Sequence, residues 1–537
     1  MTLVTVTLVN DVPADLALGA FSDAAPWLVD PDALVWHRGL DAVRFRTRAE
    51  VPRMLERGTI PPIGRVARVV ASVGAALALW YLRERHTSDS GRGLAARLRR
   101  SFEGLGSTYV KLGQIISSGE GLFPAELVTE FKLLRDRVPP EPFSTIRDTV
   151  EADLGTTLAE VFDRFDAVPL AAASIAQVHG ARLRSGEEVV VKVQRPAVAR
   201  LVRADIKALS WLAPLLVGRI PVAALANPPA LVELFAETIA EELDFRLEAE
   251  NMLDIARVLA ETTDGEARAT IVPRPHPRLV TRRVLVMERL DGFAWDDVAG
   301  MRAAGVDTEA VLHGGLVSFM EGAMVFGVFH GDLHGGNLLV RPDGTTVLLD
   351  FGITGRLDEQ QRMAFLWLLV GATSGDVRGQ LRALRDLGAF PPDVDLEAVF
   401  TDLDLDQPVD PTALSADELV RELQDLTKKL LGYGARAPKE LMLFVKNLMF
   451  LDGAIATLAP DLDILGEIEN VHREITVRHG QRLASELGID MSVSDFDADS
   501  VKAALGVSAD TERLTYRDVQ DRRETIRKRM EEHRRRS

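Results

Sequence analysis

Between residues 330 and 352 the chain reads HGDLHGGNLLVRPDGTTVLLDFG, and this stretch constrains the fold more than any other. Two apolar runs flank Arg341-Pro342-Asp343-Gly344, and Asp-Gly is a dipeptide suited to a tight hairpin turn. A hairpin of this length returns on itself, so the polar residues before its first strand come to lie beside those after its second. His330, Asp332 and Asn337 are thereby expected to meet Asp350, Phe351 and Gly352. Oxygen donors gathered in this way suit phosphoryl transfer. Asp332 would orient an attacking hydroxyl or water and receive its proton late, while Asn337 and Asp350 would hold Mg2+ bridging the phosphates of ATP. With a reference pKa of about 3.9, Asp332 is a poor base at neutral pH and would act mainly by positioning.

A second constraint lies upstream, where EEVVVKV reads as a strand. Strand alternation puts Lys192 on the face of Val190, opposite Val189, Val191 and Val193. A lysine on a half-buried face needs an anion, which nucleotide phosphates and a helix carboxylate would supply. The helical stretch EELDFRLEAEN offers Glu241, Glu242, Asp244, Glu248 and Glu250. Ahead of the strand, AAASIAQVH (171–179) is rich in alanine where a loop lying against phosphates would favour glycine.

The remaining sequence bounds the setting. At 537 residues the chain has room for about two to four domains. Its net charge of −17 argues against nucleic acid as the main partner. The lack of cysteine excludes disulfides, thiolate zinc sites and a cysteine nucleophile. The N-terminus has no basic n-region, so no secretory signal is expected. Between residues 65 and 100 eight arginines face only Glu84 and Asp89, and they frame a charge-free run, VVASVGAALALWYL, at 69–82. Fourteen residues fall short of the roughly 20 that span a bilayer. The run reads either as a helix lying in an anionic membrane surface or as a core helix with arginines snorkelling at its ends.

Strands are expected from 162 to 193, near Ile271 and from 283 to 288, with helices from 198 to 259 and from 357 to 487. Residues 488–537 mix signs and read as an exposed helix or solvated tail. No span of membrane-crossing length is expected near the C-terminus.

Taken together, YVKLGQ (Lys111, Gly113, Gln114), AAASIAQVH, VVVKVQRP, ELDFRLEAEN, HGDLHGGN and DFG closely resemble the signatures of the UbiB family of atypical, protein-kinase-like proteins (AarF/UbiB type). The resemblance covers residues 95–360 by motif. It implies an α+β, protein-kinase-like two-lobed fold with a β-meander N-lobe, a helical C-lobe and an N-terminal helical extension over the cleft. The corresponding divisions are a leader at 1–95, the KxGQ extension at 96–140, the N-lobe at 141–286, the C-lobe at 287–487 and the tail at 488–537.

The resemblance also assigns roles. Lys192 would pair with Glu248 and the α/β-phosphates, and Ala171, Ala172, Ala173 and Ser174 would form the phosphate loop, its backbone N–H groups available. Met287, Glu288 and Leu290 would form the hinge at the adenine. Glu242 and Asp244 would engage Lys111, so that the helix bearing Lys111 and Gln114 crosses the cleft where a protein kinase admits its peptide. There is no Ala-Pro-Glu after Asp-Phe-Gly, so activity on other proteins is not expected. The implied function is a Mg2+-dependent ATPase supporting isoprenoid quinone or lipid metabolism, cytoplasmic or peripheral on the inner face of the cytoplasmic membrane. Anionic lipids or a quinone-type lipid would be its partners. A small-molecule or lipid kinase and a nucleotide-sensing scaffold are the alternatives.

Overall fold

The computed structural model describes residues 34–57, 61–87, 89–117, 123–134, 139–216, 228–261, 269–374, 376–405, 429–430, 432–435, 438–488, 502, 510–511, 513–521, 524 and 528. Among the described residues five helices come first: α1 (Leu40–Leu55), α2 (Ile63–Arg83), α3 (Ser90–Leu105), α4 (Ser107–Ser117) and α5 (Ala125–Phe131). Helices α6 (Phe143–Leu154) and α7 (Leu158–Val161) lead into β1 (Phe162–Phe165), β2 (Ala171–Ala172), β3 (Ala176–Leu183) and β4 (Glu188–Gln194). Then follow α8 (Val198–Leu216), α9 (Pro228–Glu242), α10 (Phe245–Glu261), β5 (Thr270–Ile271), β6 (Pro275–Val280) and β7 (Val284–Glu288).

The N-lobe sheet runs β1-β3-β4-β7-β6, all antiparallel, with β2 also on β3. The valine alternation of β4 explains its burial. Val189, Val191 and Val193 are fully buried in one cluster with Ile146 and Val150 of α6. A β-branched residue at every second position gives that face to the core, and Lys192 consequently faces the other way, into the cleft. The turn into β4 contains Gly186 at φ 107°, a left-handed conformation that glycine adopts without strain.

The helical lobe begins with β8 (Phe293–Ala294), α11 (Val298–Ala303) and α12 (Thr308–Glu321). The Asp307 side chain caps α12 by accepting the Glu309 and Ala310 N–H groups. Next come β9 (Val328–His330), β10 (Leu338–Val340), β11 (Thr346–Leu348) and β12 (Thr354–Arg356). Further helices are α13 (Glu359–Ser374), α14 (Val377–Asp386), α15 (Leu396–Asp402), α16 (Lys439–Leu458) and α17 (Ile464–Leu487). The core centres on Phe444 of α16, whose ring lies 4.7 Å from Phe365, 5.2 Å from Phe319 and 6.0 Å from Phe329. The α+β, kinase-like fold is the one expected.

The strand expected near Ile271 is present as β5 and pairs in parallel with β11, Thr270 opposite Thr346, in the small sheet that also holds the β10–β11 hairpin. Other local expectations need correction. The apolar leader helix is not a core helix, nor too short to span. At 21 residues α2 is long and apolar enough to cross a membrane, and only Val69 and Ala76 are buried. A second helix, α16, is likewise long and apolar enough to cross a membrane by length and composition. Finally, part of the tail docks instead of facing solvent. Leu514 and Tyr516 are buried, the Leu514 carbonyl accepts the Ile464 N–H at 2.9 Å, and the Tyr516 hydroxyl donates to Asp452 at 3.2 Å.

Candidate functional site

The hairpin β10–β11 assembles the lower half of the site. Leu338 pairs with Leu348, and the ladder continues outward as the Leu349 N–H donates to the Asn337 carbonyl at 2.8 Å. Asn337 and Asp350 therefore emerge at the same end. A second ladder, β9 on β12, pairs His330 with Thr354, and the Gly331 N–H donates to the Ile353 carbonyl at 2.9 Å. A Cβ at Gly331 would lie 2.7 Å from Ile353 Cγ2, so only glycine permits this approach.

His330 locks the two ladders together. Its Nδ1 accepts the Asp332 N–H at 3.1 Å, which leaves the proton on Nε2 to donate to the Asp350 carbonyl at 2.8 Å. Burial pushes this imidazole below its ordinary pKa and keeps it neutral, the form the bonding requires. The Phe351 ring packs edge-on at 5.4 Å. Asn337 Nδ2 donates to the Asp332 carbonyl at 3.1 Å, closing the loop between them.

Lys192 reaches this hairpin from the sheet. Its ammonium lies 2.7 Å from Glu248 Oε1 and 3.2 Å from Asp350 Oδ1. Burial works against the ammonium, but Asp350 and Glu248 outweigh it and raise Lys192 above its ordinary range. The crowded cleft opposes ionisation of Asp350, whose side chain is still 49% exposed, yet Lys192 and Lys111 hold its carboxyl down to about 2. Asp350 also adopts φ 56°, a left-handed conformation rare for a residue with a side chain.

Helix α4 closes the cleft from above. Lys111 Nζ lies 2.8 Å from Glu242 Oε1. Burial disfavours its charge, but Glu242, Asp332 and Asp350 outweigh this and keep the ammonium charged. On its other side Gly113 lets α4 pack closely on Leu134, Phe102 and Phe131; a Cβ there would lie 2.3 Å from Leu134 Cδ1.

Not every expected residue joins the group. Asp244 pairs with Arg246 at 2.6 Å instead of Lys111, because the start of α10 brings that guanidinium directly onto it. Gln114 Nε2 donates to the Leu134 carbonyl at 3.4 Å. The alanine loop is tighter than expected. Ala171 and Ala172 pair with Val178 and Gln177, and the Leu170 and Ala173 N–H groups are taken by the Val178 and Ala176 carbonyls. Those two donors are therefore not available to phosphates, since strand pairing has used them. Ser174 is buried at the tip. At the hinge, Met287 pairs with Val190, the Glu288 N–H donates to the Arg274 carbonyl at 2.9 Å, and Leu290 is half-buried just beyond.

Three further residues hold the site and were given no role from sequence. Asn251 closes the ELDFRLEAEN motif; its Nδ2 donates to the Phe351 carbonyl at 2.8 Å. Lys446 and Asn447 come from α16. Lys446 Nζ contacts Asp332 Oδ1, while Asn447 accepts the Leu333 N–H at 3.0 Å and donates to the His330 carbonyl. The signal for these two was a Lys-Asn pair interrupting the apolar run LMLFVKNLMFL. Burial alone would raise Asp332, but Lys446, then Lys111 and His334, hold it well below the carboxylate range.

Residues 133–383 match the ABC1 atypical kinase-like domain. The uncharacterized protein Rv0647c of Mycobacterium tuberculosis is 37% identical over 400 residues, 71% of this chain and 79% of its own. A chloroplastic aarF domain-containing protein kinase of Arabidopsis thaliana is 35% identical, over 68% of this chain and 72% of its own. The probable protein kinase UbiB of Aeromonas hydrophila is 32% identical, over 72% and 70%. With a hairpin-built Asp332/Asn337/Asp350 cluster beneath a Lys192–Glu248 pair and relatives of this identity and coverage, the chain belongs to the UbiB/aarF family of atypical kinase-like proteins.

Proposed function

We propose that this chain binds Mg2+-ATP between its lobes and transfers the γ-phosphoryl group to water, at a membrane surface and in the service of isoprenoid quinone or lipid metabolism. The observation that carries the reading is the convergence on Lys192, whose ammonium bridges Glu248 of the upper lobe at 2.7 Å and Asp350 of the lower at 3.2 Å. A cation held between two carboxylates is positioned to take up nucleotide phosphates as Asp350 turns to a metal.

The donor set fits magnesium. Asn337 and Asp350 offer oxygens, and Asp350 is ionised. Among the described residues no group of three or more His, Cys, Asp or Glu could hold a metal alone. Magnesium suits such a site because it takes one or two protein oxygens and completes its shell with phosphate and water. When bound it would neutralise charge on the β- and γ-phosphates. The protein's own part is to hold Lys192 against those phosphates and Asp332 beside the attacking oxygen. Lys111, pinned to Glu242 above both aspartates, narrows the approach for a protein substrate.

Helix α2 supports the membrane setting. Ile63, Val70, Leu77 and Tyr81 recur on one exposed stripe, and Leu82 is 77% exposed. Arginines at both ends of the helix suit an anionic lipid surface. Phosphate release by the purified protein, with and without anionic vesicles, tests the function. Vesicles are expected to raise turnover, and Asp350→Asn to lower it at least about a hundredfold. Unchanged hydrolysis in that variant would remove the metal-site assignment. Label transferred to a lipid hydroxyl instead of released phosphate would replace the ATPase with a lipid kinase.

A further inference from the structure

We infer that Lys446 is a positioning residue for phosphoryl transfer: by holding Oδ1 of Asp332 it presents the other carboxylate oxygen to the attacking water. The inference rests on the ATP-cleaving function proposed above and deepens it.

The geometry is that of a clamp delivered by one helix turn. Asn447 is fully buried and ties the backbone on both sides of Asp332, at the His330 carbonyl and the Leu333 N–H. The Asp332 N–H is held by His330 and its carbonyl by Asn337. These bonds fix the main chain and leave the side chain free to rotate. Lys446, the neighbour of Asn447 on α16, supplies the contact that fixes the carboxylate itself.

The charges around Asp332 point to the same residue. Lys446 faces it from α16, Lys111 from α4 and His334 from its own loop, while Asp350 and Glu242 repel it. Lys111 is engaged with Glu242 at 2.8 Å, so Lys446 is the cation whose ion pair is with Asp332. Both partners are part-buried, with side chains 19% and 22% exposed, where an ion pair orients more firmly than on open surface. A lysine inside LMLFVKNLMFL carries a desolvation cost that a purely structural helix would avoid with an apolar residue.

In the reaction, the water oxygen bonds to the γ-phosphorus as the bond from phosphorus to the ADP oxygen breaks. The water proton passes late to Asp332, and Lys446 neither gives nor takes one. Its contribution is angular, so it should appear in kcat and not in nucleotide affinity.

The test uses the full-length protein, reading steady-state phosphate release and equilibrium binding of a non-hydrolysable ATP analogue. Lys446→Met is expected to lower kcat about 10- to 100-fold while analogue affinity and KM stay within about threefold. Lys446→Arg should recover most of the loss. Lys446→Met combined with Asp332→Asn should be no slower than Asp332→Asn alone, because the effect runs through that carboxylate. Full activity in Lys446→Met, losses that multiply in the double variant, or analogue affinity falling in step with kcat would each overturn the inference. No phosphate release from the unaltered protein would overturn this reading and the proposed function together. An active unaltered protein beside an equally active Lys446→Met variant would overturn this reading alone.

Discussion

Helices α2 and α16 are 21 and 20 residues long, and both are apolar enough to cross a membrane. They differ in how far they are buried: α2 buries only Val69 and Ala76, whereas α16 buries Phe444, Asn447, Leu451, Ala454 and Leu458. α2 lays one side on Leu105, Tyr109 and Leu209 through Val69 and Val73, ties Arg65 to Asp205 at 2.6 Å, and leaves its other side open. α16 enters an aromatic core and carries Lys446 and Asn447 to the loop that bears Asp332. The difference teaches that hydropathy does not place an apolar helix in this molecule. What separates the two is where their polar residues find partners, since a buried polar group must be bonded and an exposed one need not be.

The comparison can be broken experimentally. The largest effect is expected from Phe444→Ala, which empties the centre of the α16 contact and should cost about 3–5 kcal/mol in denaturant unfolding. A loss below about 1 kcal/mol would mean that α16 is not a core helix. Asn447→Leu should cost about 2–3 kcal/mol and suppress turnover, because it strands the His330 carbonyl and the Leu333 N–H without their partner. Smallest in stability is Leu77→Ser with Leu82→Ser on α2, expected within about 0.5 kcal/mol of the unaltered protein. The same pair should weaken co-sedimentation with anionic vesicles severalfold and blunt any lipid stimulation. Vesicle binding as strong as before would take α2 out of the membrane reading.

Much of the lower site was legible because it is local. The Asp343-Gly344 turn and the apolar runs beside it set the pairing that puts Asn337 next to Leu349, one residue from Asp350. The alternation of β4 likewise sent Lys192 to the face away from its valines. Where the sequence reading erred, competing partners decided, some of them close in sequence. Asp244 had a plausible lysine in Lys111, but Arg246 lies two residues away and took it. The alanine loop had donors to offer, but the Ala173 N–H is taken by the Ala176 carbonyl. Tyr516 sits in a charged tail and is nonetheless buried beside Asp452.

The sequence by itself determined the hairpin, the valine face and the residue types of a phosphoryl-transfer site, because turn chemistry and side-chain period act over a few positions. Only the tertiary structure decided that Lys446 and Asn447, more than a hundred residues beyond Asp332, hold the loop that bears it, and that α16 sets Phe444 and Asn447 into the core while α2 buries only Val69 and Ala76. Local rules specify what a segment can form. Which buried polar group meets which partner depends on packing between segments that share no sequence neighbourhood.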